Sequence, residues 1–202
     1  MENAPDSDRV DARPPRILIV DDEAINVETL AWMLKEAGFT PLRAASGPQG
    51  RDIARAEQPE LIILDIVMPG ESGFETCAKL TADPATTDIP IIFVSGLDDV
   101  ENKVRGLKLG AVDYIAKPFA REEVLARVKI HIRLRRGLRA LLAEQAAKLA
   151  QIRDAQQAIL VCPDDIPEAR FAVRYVPALE AGGDFYDVFP WSETVMVYFV
   201  AD

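Results

Sequence analysis

The sequence predicts an α/β fold: a doubly wound, five-stranded parallel sheet with helices on both faces, a long C-terminal helix and a short β-rich tail. Three observations carry this reading. Between residues 16 and 136, five short apolar runs alternate with five segments of helical period. Several of the runs are apolar throughout, as strands covered on both faces are, where half-exposed strands would alternate. Four of the five end on a residue bearing a charge or a hydroxyl, and an open parallel sheet binds its ligands at the strands' carboxyl edge.

The elements follow in order. "RILIV" (16–20) is the first strand and runs into Asp21-Asp22-Glu23. "NVETLAWMLKEAG" (26–38) has helical spacing and stops at Gly38. "TPLRAA" (40–45) is a strand whose Pro41 suits an edge or a strand start. "GPQGRDIARAE" (47–57) is a helix with proline near its start, and "ELIILD" (60–65) is a fully apolar strand ending at Asp65. "GFETCAKLTAD" (73–83) is helical, "PIIFVS" (90–95) is a buried strand ending at Ser95, and "VENKVRGLKLG" (100–110) is a helix closed by Gly110. "VDYIA" (112–116) leads to Lys117 in "AKPF", and "REEVLARVKIHIRLRR" (121–136) is the last helix of the set.

Right-handed crossovers bring all strand ends to one edge, so Asp21, Asp22, Asp65, Ser95 and Lys117 meet there. Each alone has an ordinary explanation. Paired acids after a strand cap helices, an Asp before Met-Pro-Gly or a Ser before Gly serves a turn, and a lysine is solvated at a surface. All of them at strand ends, in this order, point instead to shared chemistry. Three converging carboxylates repel one another. A divalent cation relieves that, and a few hard oxygens with room for water suit Mg²⁺ better than zinc. A carboxylate is ionised at pH 7 and needs no base to act as a nucleophile. Its obstacle is an anionic phosphorus, which Mg²⁺ and a lysine ammonium offset. The product is an aspartyl phosphate, to which Ser95 can donate a hydrogen bond.

"ILIVDDE", "LIILDIVMPGESG", "IIFVSG" and "DYIAKPF" together resemble the signature segments of the response regulator receiver domain, from about Pro15 to Arg136. The resemblance implies strand order 2-1-3-4-5, phosphorylation of Asp65 by a sensor histidine kinase or phosphotransfer protein, and Mg²⁺ held by Asp21, Asp22, Asp65 and the Val67 carbonyl. It implies that Ser95 and Lys117 assist the transfer and that Tyr114 is the family's rotating aromatic. His131 is the chain's one histidine and is not the phosphodonor, which this chemistry takes from another protein. Val67 and Leu97 carry no group to activate water, so slow self-hydrolysis is expected.

Beyond the receiver-like segment, Leu138, Leu142, Gln145, Leu149, Ile152, Gln156 and Ile159 are linked by alternating steps of four and three. That pattern resembles a coiled-coil seam and predicts a parallel homodimer through residues 137–160, with Gly137 marking a bend. From Val161, "ARFAVRYVPA" and "TVMVYFVAD" read as strands flanking a turn-rich "LEAGGDFYDVF". "RYVPALEAGGDFYDVF…VYFVAD" is similar to the opening of a PPM-type serine/threonine phosphatase domain of the SpoIIE kind. That implies paired-metal ligands at Asp184 and Asp202, with Mn²⁺ or Mg²⁺ in a complete domain. The remaining acids of such a domain are missing by Asp202, so no phosphatase activity is expected. Its target class, by resemblance, is a phosphoserine protein such as an anti-sigma-factor antagonist. The domain expectation is therefore 1–14 tail, 15–136 receiver, 137–160 linker and 161–202 phosphatase fragment. The alternatives are a phosphorylation-independent adaptor and an active phosphatase.

Composition narrows the partners. The 202 residues carry 33 acids against 23 bases, a formal charge of −10, which argues against DNA or an anionic membrane as partner. Cys77 and Cys162 lie far apart, in no metal-binding spacing, and read as free thiols of a cytoplasmic protein. No run is long and apolar enough to span a bilayer.

Overall fold

A computed structural model describes residues 13–96, 100–159, 185–192 and 195–201. The chain divides into two compact units, Met1–Arg136 and Gly137–Asp202.

In the first unit β1 (Arg16–Val20), β2 (Thr40–Ala44), β3 (Leu61–Asp65), β4 (Ile91–Ser95) and β5 (Asp113–Ala116) form one parallel sheet of order β2-β1-β3-β4-β5. The order is the expected one, and the Pro41 strand lies at an edge. The helices are α1 (Ala24–Glu36), α2 (Gly47–Glu57), α3 (Gly73–Ala82), α4 (Val100–Lys108) and α5 (Arg121–Ile159). α1 starts two residues earlier than the apolar spacing predicts, directly after the acidic triplet, because the Glu23 carbonyl already accepts the Asn26 and Val27 amides. Gly38 and Gly110 take positive φ where the sequence places helix stops. α5 continues through Gly137.

Side-chain alternation divides the core in two. Ile17, Ile19, Leu61, Ile63, Ile92, Val94 and Ile115 face one layer, covered by Leu30 and Leu34 of α1 and by Val124, Val128 and Ile132 of α5. Leu18, Val20, Ile62, Leu64, Ile91 and Phe93 face the other, covered by Ala54 of α2 and by Phe74, Cys77 and Leu80 of α3. Each fully buried aliphatic stabilises the fold by about 1.5–3 kcal/mol. The Cys77 thiol is pushed by burial up to about 11 and is inert.

The turn after β3 is built to close tolerance. Gly70 sits at φ 80°, a backbone that favours glycine. A Cβ on Gly73 would collide with the Asp65 carbonyl and the Ile66 backbone, so only glycine lets α3 begin this close to β3. Ser72 caps α3 in a reciprocal capping box with Glu75. Between them Glu71 accepts from Arg51 of α2, from Thr76 Oγ1 at 2.8 Å and from Lys79 Nζ at 2.7 Å.

In the second unit β6 (Phe185–Ser192) pairs antiparallel with β7 (Val195–Ala201), with an irregularity between Pro190 and Ser192. The sequence places Phe185–Phe189 in a turn-rich connection; here they form a strand. The aromatic and β-branched content of "FYDVF" suits a ladder, and the partner strand satisfies its backbone. The Gly182-Gly183 pair, Asp184, Asp202, the segment "ARFAVRYVPA", most of the N-terminal tail and Leu97 lie outside the described residues.

Glu71 sets a pH dependence. Burial would raise its pKa, but Lys79, Arg51 and Thr76 outweigh it and bring the group from 4.5 to about 2. Between those values the unfolded chain holds the proton and the folded one does not, so stability falls as pH drops through the window. Glu71→Gln is expected to cost about 1.5–3 kcal/mol at pH 7. Urea unfolding should show the deficit shrinking as pH falls from 4.5 toward about 2.

Candidate functional site

Strand parity assembles the site. Asp21 lies two residues beyond Ile19, Asp65 two beyond Ile63 and Lys117 two beyond Ile115. All three therefore continue the α1/α5-facing rows past the sheet's edge. Ser95, two beyond Phe93, and Tyr114 belong to the opposite layer.

The structure brings Asp21, Asp22 and Asp65 together, with a carboxylate oxygen from each within 4.8 Å of the others. Asp21 and Asp65 are buried while Asp22 is exposed. Lys117 Nζ stands between the buried pair, donating to Asp21 Oδ2 at 2.8 Å and lying 3.1 Å from Asp65 Oδ2. The Lys117–Pro118 peptide bond is cis. Ser95 is wholly buried at the end of β4 and pairs in register with Ala116. The Tyr114 hydroxyl donates to the Ser95 carbonyl at 3.3 Å. Val67 is largely exposed beside the cluster, and its backbone amide bonds to Asp65. A cleft of about 220 Å³ lined by Asp21, Asp22, Glu28, Arg43 and Gln49 opens next to the acids.

Charge in this setting is only partly compensated. Burial pushes the Asp65 carboxyl above its ordinary range; Lys117 pulls it down, Asp21 pushes it up, and the net displacement is upward. Burial would lower the Lys117 ammonium, but the bonds from Asp21 and Asp65 outweigh that and hold it above the usual lysine range. Three carboxylates against one ammonium leave two negative charges in a crevice of hard oxygen donors. That donor set fits Mg²⁺, which takes one or two carboxylates and keeps several waters.

The response regulator receiver domain model matches residues 17–129, more than half of the chain. The chain belongs to the response regulator receiver family. Among its relatives, the phosphate regulon transcriptional regulatory protein PhoB of Pseudomonas aeruginosa is 44% identical over 117 residues, covering 58% of this chain and 51% of that protein. Protein PilH of the same organism is 43% identical over 110 residues, covering 54% of this chain and 91% of PilH. The DNA-binding dual master transcriptional regulator RpaA of Synechocystis is 40% identical over 119 residues, covering 59% of this chain and 49% of RpaA. The chain thus spans about half the length of two of these three relatives. The crystal structure of a receiver domain protein from Methanospirillum hungatei is 28% identical, with a TM-score of 0.58 over 61% of this chain and 98% of that one. The receiver domain of a histidine kinase from Syntrophus aciditrophicus is 32% identical, with a TM-score of 0.55 over 59% of this chain and 90% of that one. The fold is the flavodoxin-like receiver fold, and the protein contains the receiver of a two-component response regulator. Receiver domains bind Mg²⁺ at an acidic cluster of this kind and interact with histidine kinases or phosphotransfer proteins. Among the described residues, no helix is long and apolar enough to cross a membrane.

Reasoning from strand ends missed Asn26 and the role of Glu23. The Asn26 side-chain amide donates to both Asp21 oxygens, at 3.2 and 3.1 Å, and to Glu23 Oε2 at 2.9 Å. The available signal is an amide in the first turn of a helix that opens on three acids. His131 is held by Asp113 at 3.0 Å, next to Arg127, away from the acidic cluster.

Removing the ammonium should expose the repulsion. Lys117→Met leaves Asp21 and Asp65 unscreened, and metal-free protein is expected to lose about 3–5 kcal/mol in urea unfolding. Millimolar Mg²⁺ should return a larger share of stability to the variant than to the parent.

Proposed function

We propose that Asp65 accepts a phosphoryl group from the phosphohistidine of a kinase or phosphotransfer protein. The observation that carries this is Lys117 bridging the two buried carboxylates at the sheet's edge, beside the exposed Asp22. In the transfer an Asp65 oxygen attacks phosphorus, the O–P bond forms as the P–N bond breaks, and the leaving imidazole nitrogen keeps the electron pair and takes up a proton. Asp21, Asp22, Asp65 and the Val67 carbonyl would hold Mg²⁺, which when bound supplies charge neutralisation on the phosphoryl oxygens. Lys117 pairs with a phosphoryl oxygen, and Ser95 donates to another. Val67 presents no group that activates water, so the phosphoaspartate is long-lived.

The added charge, roughly −1.5 to −2, acts through Ser95 and Tyr114. The Tyr114 hydroxyl already bonds to the Ser95 backbone. Tyr114 also lines a cleft of about 270 Å³ between α4 and α5 with Leu107, Asp113, Ala116, Glu123 and Arg127. A Ser95 drawn toward phosphate releases that hydroxyl and reshapes the cleft.

The output half of the reading is a dimerising helix followed by a serine phosphatase domain. Leu138, Leu142, Leu149 and Ile152 are 40–59% exposed, as an unpaired seam would be. Extended upstream, the a/d register falls on His131 and Arg135. These are held within the first unit by Asp113 at 3.0 Å and by the Pro59 carbonyl at 2.7 Å. A coil in this register therefore begins at Leu138.

Three experiments test the proposal. Acetyl phosphate with Mg²⁺ should add about 80 Da to the intact chain, and Asp65→Asn should abolish the adduct. An unmodified parent protein overturns the phosphoacceptor assignment, while full signalling by Asp65→Asn favours a phosphorylation-independent adaptor. Light scattering should find the chain dimeric and the pair Leu142→Asn, Leu149→Asn monomeric; an unchanged mass refutes the seam. Hydrolysis of a phosphoserine peptide by these 202 residues would favour the active-phosphatase alternative.

A further inference from the structure

Asp21 is the most heavily bonded acid of the cluster. Its Oδ1 accepts from the Glu23 amide at 2.8 Å and from Asn26 Nδ2 at 3.2 Å. Its Oδ2 accepts from Asn26 Nδ2 at 3.1 Å and from Lys117 Nζ at 2.8 Å. The same Asn26 nitrogen donates to Glu23 Oε2 at 2.9 Å. Three carboxylate oxygens surround this end of the side chain and can only accept, so the end facing them is the amide NH₂. Glu23 follows two members of the cluster in sequence, yet the oxygens that come together belong to Asp21, Asp22 and Asp65. Its carboxylate is instead tied back to the first turn of α1 by Asn26.

We propose that Asn26 is a positioning residue of the cation site: its amide bridges Asp21 and Glu23, aiming the first at Asp65 and keeping the second out of the cluster. This rests on the reading of Asp21, Asp22 and Asp65 as the Mg²⁺ site and adds what decides its membership. A neutral double donor is the side chain that can lie between two anions and bond to both. An alanine there leaves Asp21 with the Glu23 amide and Lys117 alone, and frees Glu23. A cation must then order Asp21 as it binds. An aspartate there has nearly the same shape but reverses the charge, setting a further carboxylate against Asp21 and Glu23. Repulsion between like charges then destabilises the metal-free protein, and a divalent cation relieves it.

The two variants should therefore move Mg²⁺ affinity in opposite directions. Calorimetric titration of Mg²⁺ into the full chain is expected to give about threefold weaker binding for Asn26→Ala and about fivefold tighter binding for Asn26→Asp. Asn26→Asp should melt lower than the parent in EDTA and show a larger Mg²⁺-induced rise in melting temperature. If Asn26→Asp does not fold without metal, the Asn26→Ala affinity decides alone. Affinities within twofold of the parent in both variants, or a change of the same sign in both, overturn the inference, since a merely structural residue lowers stability without reversing the sign of a metal effect. A parent protein that ignores Mg²⁺, or an Asp65→Asn variant that binds it as the parent does, removes the cation site itself and leaves the Asn26 contacts as helix-start geometry.

Discussion

The Lys117 ammonium between Asp21 and Asp65 is the interaction on which this site depends. Two carboxylates brought so close at the end of a buried sheet would not both remain charged without a cation. The lysine supplies that charge from the end of β5, across β4 from Asp65 and across β4 and β3 from Asp21. The sheet's crossover order is what brings the three strand ends within reach. One ammonium does not neutralise three acids, and the remainder is an electrostatic demand of the kind a divalent cation would answer. Poise of this kind is costly to fold around, and it is tolerated because the surrounding core contributes far more.

That core also explains why the site is rigid. β3 is buried from Leu61 to Asp65, and α3 begins against the Asp65 backbone, where Gly73 alone leaves room. Glu71 ties the intervening turn to α2 and to α3 at once. The Asp65 side chain thus emerges from a segment held on three sides, while Asp22 and Val67 remain open to solvent. Buried anchors with an exposed rim suit the phosphoryl transfer proposed for Asp65, in which the donor is another macromolecule and the geometry must hold between encounters.

Midway along α5, at the end of the first unit, the helix is tied down by specific contacts. Arg135 donates to the Pro59 carbonyl, and Arg136 forms a two-pronged pair with Glu60 at 2.8 Å. Both partners precede β3, the strand that ends in Asp65. The helix therefore leaves the receiver from a place tied to the same strand that carries the acidic site. Upstream of Gly137 its side chains bond to Asp113, Pro59 and Glu60; downstream its leucines are exposed.

The five strands, the burial of β1, β3 and β4, and the placement of Asp21, Asp22, Asp65, Ser95 and Lys117 at the carboxyl edge were legible because period and position encode them. An apolar run records burial on both faces, and a charge at its end can only lie at the edge. Glycines at 38 and 110 recorded the helix stops for the same local reason. Phe185–Phe189 were not recognised as a strand because the adjacent glycines dominate a local reading, whereas the ladder partner lies in another strand. Asn26 was invisible for a different reason. Its chemistry consists of distances to Asp21 and Glu23, and helical spacing alone does not say that an amide faces two acids. By itself the sequence determined which residues reach the carboxyl edge, since parity and hydrophobicity are properties of the chain. Tertiary structure decided which charges touch there, because that depends on how neighbouring strands bring separate ends to within bonding distance.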